Sequence, residues 1–113
     1  MTMVIAERRL TAVRPAAKPV LVTVQVGCPA RAASPAEGDW YCSIRIKGFG
    51  RTRTQSFFGV DQLQALQFAL GILEREVQAF VGNAQITWLG QSDLGLKPWM
   101  PDGLSRKDGA PAP

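Results

Sequence analysis

Four cations stand within a short stretch, "IRIKGFGRTR", and no acid interrupts them anywhere between Trp40 and Val60. Arg45, Lys47, Arg51 and Arg53 alternate with apolar or small residues on either side of "GFG", the pattern of a β-hairpin whose cations share a face. If "GFG" is a three-residue turn, Lys47 faces Arg51, Ile46 faces Thr52, Ile44 faces Thr54, Cys42 faces Ser56 and Trp40 faces Phe58. That register puts Trp40, Cys42, Ile44, Ile46 and Phe58 on the core side. Tyr41, Ser43, Arg45, Lys47, Arg51, Arg53, Gln55 and Phe57 take the other side. Like charges set opposite one another cost a few tenths of a kcal/mol per pair, so such a face would gain by meeting an anion. With Phe49 at the tip, the chemistry on offer is a β-ribbon that grips a phosphate backbone or stacks a base. The competing reading is a solvated outer sheet face, kept soluble by Arg and Lys. The glycines of "KGFGR" read as turn residues rather than as a phosphate loop.

The rest of the inventory argues against catalysis. The chain has no histidine, which removes the commonest general base and the commonest ligand for borderline metals. Cys28 and Cys42 are too far apart for a CxxC pair and too few for a zinc site, so both read as reduced structural thiols. Among the carboxylates, Asp61 is placed to cap a helix, Glu74 and Glu76 point to different sides of it, and Glu37 and Asp39 lie in a loop. No catalytic residue, cofactor site or metal site is expected, and a non-enzyme follows.

The elements that would position the cations are legible from periodicity. "VIAERRLTAV" is a β-compatible run, and "PVLVTVQVG" puts Val20, Val22, Val24 and Val26 on one face of a half-buried strand. The five residues "RPAAK" between them suit antiparallel neighbours. "PARAASPAEGD" reads as an exposed loop. Asp61, with Gln64 as the second half of a capping box, and Gly82 as terminator, bracket a helix from about Gln62 to Val81. "AQITWLG" supplies a short last strand.

That helix is apolar around more of its circumference than one sheet requires. Leu63, Leu66, Ala69, Leu70, Leu73, Val77, Phe80 and Val81 fill a sector of roughly 120°. Ala65, Phe68, Ile72 and Ala79 extend the arc to roughly 220°, interrupted mainly by Glu76. The second stripe is expected either to be covered within the chain or to meet its own copy across a two-fold axis. In the second case Arg75 and Glu76 would exchange ion pairs at the rim.

Composition sets the outer limits. The 113 residues, 46% apolar, suit one domain with one core, and no stretch is long and apolar enough for a membrane span. A signal peptide is not expected, since Glu7, Arg8 and Arg9 interrupt the N-terminal run, so a cytoplasmic protein is. A formal charge of +4 and a pI near 9.6 permit an anionic partner without requiring one. We expect a domain over residues 1–96, an apolar clip over 97–101 built on Trp99 and Met100, and a disordered tail over 102–113.

"MVIAERRLTA", "DWYCSIRIKGFG", "GVDQLQALQFALGIL" and "ITWLGQSDLG" together resemble a family of short bacterial proteins with no assigned function. The likeness spans residues 3–96, and "GVDQLQALQFAL" and "WLGQSDLG" are its most specific parts. It implies a compact antiparallel sheet with one long helix and brings no site residues with it. The expected fold is α+β, an antiparallel sheet of four to five strands with one long helix packed on one face. The expected function is an interaction module, with a second copy or another protein as the expected partner. The alternatives are nucleic-acid binding through the basic hairpin and a toxin-neutralising, immunity-type role, though a positive charge suits neutralisation of a nuclease poorly.

Overall fold

The computed structural model describes residues 1–33 and 38–97. Strands β1 (Val4–Val13), β2 (Val20–Gly27), β3 (Ala30–Arg31), β4 (Trp40–Gly48), β5 (Arg51–Gly59) and β6 (Gln85–Thr87) form one antiparallel sheet, and α1 (Gln62–Val81) packs on one side of it. β4 lies at the centre of the hairpin side. One of its edges carries β5, while the other carries β2 beside Ile44–Lys47 and β3 beside Trp40 and Tyr41. β1 follows β2, and β6 pairs with the Thr11–Val13 end of β1. The core is built by alternation: Leu10, Ala12, Val22, Val24, Val26, Cys42, Ile44 and Ile46 are buried under the helix side. The sixth strand, β3, comes from the stretch read as a loop. It satisfies backbone groups of β4 that β2 leaves free, and Ala32 N–H donates to the Asp39 carbonyl at 2.9 Å.

The hairpin register differs from the expected one by a single residue. Gly48 pairs with Arg51, Ile46 with Arg53, Ile44 with Gln55 and Cys42 with Phe57, around a two-residue turn of Phe49 and Gly50. Both turn residues have positive φ, 53° and 71°, the backbone of a tight hairpin turn that matches strand twist. A left-handed backbone is costly for phenylalanine. Packing offsets it here, because the Phe49 ring lies against Phe80, 6.5 Å between centroids, and under the Arg14 guanidinium at 3.8 Å. One residue of slip turns every β5 side chain to the opposite face. Arg51, Arg53, Gln55 and Phe57 therefore point to the helix side, and Phe58 joins Tyr41 on the open side at 6.2 Å between centroids.

The helix has the expected ends. Asp61 Oδ1 accepts from Gln64 N–H at 2.8 Å, Gln64 Oε1 accepts from Val60 N–H at 2.9 Å, and Gly82 N–H donates to the Gln78 carbonyl. Its rotation about its own axis is not the expected one. Ala65 and Glu76, assigned above to an outer stripe, are 0% and 9% exposed, whereas Leu63 and Leu70, assigned to the core, are 62% and 41% exposed. Two contacts explain the turn. Arg53, brought to this side by the register, lies 3.2 Å from Glu76 Oε1 and draws it inward. Gly59 admits the helix backbone so closely that a Cβ there would lie 2.6 Å from Ala65 N.

Beyond β6 the chain returns over the core side of β1. Arg8 Nη1 donates to the carbonyls of Leu94 at 3.0 Å and Gly95 at 2.8 Å, and the guanidinium stacks over Trp88 at 3.9 Å. Leu94 is fully buried beneath this clamp. Lys97 ends the described residues, 3.9 Å from Glu74, so the expected apolar clip at Trp99 and Met100 and the tail over 102–113 lie outside them. Among the described residues no helix is long and apolar enough to cross a membrane.

Candidate interaction surface

The four hairpin cations do not share a face. On the helix side, Arg51 Nη2 donates to the Phe80 carbonyl at 2.9 Å and stacks on the Phe80 ring at 4.4 Å, while Arg53 forms its ion pair with Glu76. That pair is close without hydrogen-bond alignment, since Glu76 Oε1 has no hydrogen-bond partner. On the open side, Arg45 Nε donates to Gln25 Oε1 at 2.9 Å and Gln25 Nε2 donates to Glu7 Oε1 at 2.8 Å. Arg9 Nε approaches Glu7 Oε2 at 3.3 Å, and Lys47 lies opposite Thr23. The Gln25 hydrogen bond is the main reason the Glu7 carboxyl is held below its ordinary pKa; it outweighs desolvation, and Arg9 and Lys47 add to it. Phe49 is packed between Phe80 and Arg14 instead of projecting from the tip. The expected single basic face is thus divided: two cations fasten α1 to β5, Arg45 joins a polar chain across the open face, and Lys47 lies exposed on that same face.

The outer stripe of α1 is narrower than the sequence suggests, but it exists. With Ala65 and Glu76 inside, Phe68, Ile72, Arg75 and Ala79 remain along one flank. Phe68 is 50% exposed at mid-helix, and Ile72 is half-buried. The neighbours of Glu76 and Ala65 on the sheet are Arg53 and Gly59, so this flank faces the β5 side. The Leu70 and Leu73 flank faces β1 and β2 across a cavity of about 310 Å³, whose wall also includes Val24, Val26 and Leu96.

The edge position of β5 is what sequence reasoning missed. Among the described residues its outer edge has no strand beside it, and its nine residues contain no proline and no register break against β4. At its centre, the Gln55 side-chain oxygen is enclosed without a hydrogen-bond partner. Periodicity cannot reveal which strand ends a sheet, because edge position depends on strand order; the only local signal is a strand lacking the usual edge protection.

The family described as a domain of unknown function, DUF6968, matches residues 6–98. The chain belongs to that family. The match covers most of the stretch that carries the resemblance, and no curated protein and no solved structure matches the chain.

The remaining chemistry of this DUF6968 domain is spare. Cys28 and Cys42 are free thiols; Cys42 is buried, donates to the Gly27 carbonyl at 3.3 Å, and has its pKa raised, mainly by burial. Among the described residues no three His, Cys, Asp or Glu side chains converge where a metal ion could bind. Among the described residues, Asp61 serves as a cap, and Glu74, Glu76 and Glu7 are engaged with Lys97, Arg53 and Gln25 respectively.

Proposed function

We propose that this DUF6968 domain is a non-enzymatic, cytoplasmic interaction module that acts as a homodimer. The observation that carries the reading is Phe68, half exposed in the middle of α1, in line with Ile72 and Ala79. An isolated exposed apolar residue is ordinary, but a stripe at helical spacing is a packing surface without its partner. A two-fold axis needs only one such stripe, and burying Phe68 and Ile72 on both copies contributes several kcal/mol, at about 1.5–3 kcal/mol per side chain, before association entropy is subtracted. The basic hairpin offers less to a nucleic acid, because Arg51 and Arg53 are committed to the helix.

The test is sedimentation equilibrium at micromolar concentration. The wild-type chain should be dimeric, and Phe68→Glu should be a monomer with an unchanged circular dichroism spectrum, since half of that side chain is already in water. A monomeric wild type overturns the proposal.

A further inference from the structure

We infer that the β5 edge is itself the dimer seam, pairing antiparallel with β5 of a second copy so that two sheets become one. The inference rests on the homodimer proposed above and assigns its backbone contacts. The tight Phe49–Gly50 turn makes Gly48 and Arg51 a hydrogen-bonded pair, so Arg53, Gln55, Phe57 and Gly59 spend their backbone groups on β4. Thr52, Thr54, Ser56 and Phe58 then present theirs outward along an edge that is unpaired among the described residues.

A two-fold axis through Gln55, normal to the sheet, satisfies that edge with itself. Thr54 falls opposite the partner's Ser56, and Thr52 opposite the partner's Phe58. Gln55 meets the partner's Gln55 across the axis, on the helix side of the sheet. Arg53 falls opposite the partner's Phe57, so no two arginines face each other.

The helices agree with the same axis. The contacts Arg53 to Glu76 and Gly59 to Ala65 run α1 antiparallel to β5, and interpolating between them sets Ile72 above Gln55. Because α1 rests on β4 and β5 together, a strand spacing of about 4.8 Å places the two helix axes about 10 Å apart, within the usual packing range. Ile72 meets its mate at the axis, and Phe68 lies beside the partner's Arg75, where the guanidinium can stack on the ring. A second copy fits where a generic extended peptide would pair only the edge and leave the Phe68 stripe bare.

Backbone amide exchange read by NMR tests the seam. In the wild-type dimer the amides of Thr52, Thr54, Ser56 and Phe58 should exchange at least about 100-fold more slowly than in the Phe68→Glu monomer. Thr54→Pro removes an outward donor at a position an edge strand tolerates, and should give a folded monomer. A dimer in which those four amides exchange at unprotected rates overturns the seam and leaves the homodimer standing. A dimer persisting in Thr54→Pro also overturns the seam, and a wild-type monomer overturns both; if Thr54→Pro fails to fold, the exchange rates decide.

Discussion

The two edges of the sheet are finished by different means. At the β1 edge, β6 pairs with Thr11–Val13 and the chain that follows folds back, with Arg8 holding two carbonyls and Leu94 buried beneath. At the β5 edge nothing among the described residues is paired, yet the strand is regular and nine residues long. The first edge is paired only over Thr11–Val13 and otherwise has its core side covered by its own chain; the second, among the described residues, has no strand beside it along its whole length.

Several substitutions would separate the two edges. Leu94→Ala should have the largest effect, about 3 kcal/mol in urea unfolding, because it empties a fully buried site under the Arg8 clamp; the dimer seam should be unaffected. Gly59→Ala comes next, at about 2 kcal/mol, since the new Cβ pushes the helix away from β5, and it should weaken dimerisation as well as the fold. Glu76→Gln should cost about 1 kcal/mol, because the pair with Arg53 is half in water on the arginine side, and the loss should shrink with added salt.

The smallest effect belongs to the open face. Glu7 has a lowered folded pKa, so its contribution is present above the unfolded value near 4.5 and is lost as pH falls through the folded value. Glu7→Gln should therefore flatten the acid limb of a stability-against-pH curve without changing either edge. An unchanged acid limb would show that the Gln25 contact is not formed in solution.

Much of the fold was legible because it depends on local chemistry. The period-2 valines from Val20 to Val26, the Asp61 and Gln64 capping box and Gly82 locate a strand and a helix wherever the rest of the chain goes. The candidate site was only partly legible. Phe68, Ile72, Arg75 and Ala79 remain on the outer flank, while Ala65 and Glu76 do not, and the four cations divide between faces. Arg8 gave no sign of its role, because the carbonyls it holds lie 86 and 87 residues away.

A turn length decided the rest. The sequence by itself determined the elements other than β3, their approximate boundaries and the antiparallel pairing of neighbours, all set by hydrophobic period, caps and short connections. Whether Phe49 and Gly50 turn as two residues or Gly48 joins them depends on what the Phe49 ring can pack against, and only the assembled fold brings Phe80 and Arg14 to it. Because strand side chains alternate strictly, that single residue sent Arg53 under the helix, drew Glu76 after it and rotated α1. Tertiary structure also decided that β5 ends the sheet, since strand order is a property of all the strands together and is written in none of them alone.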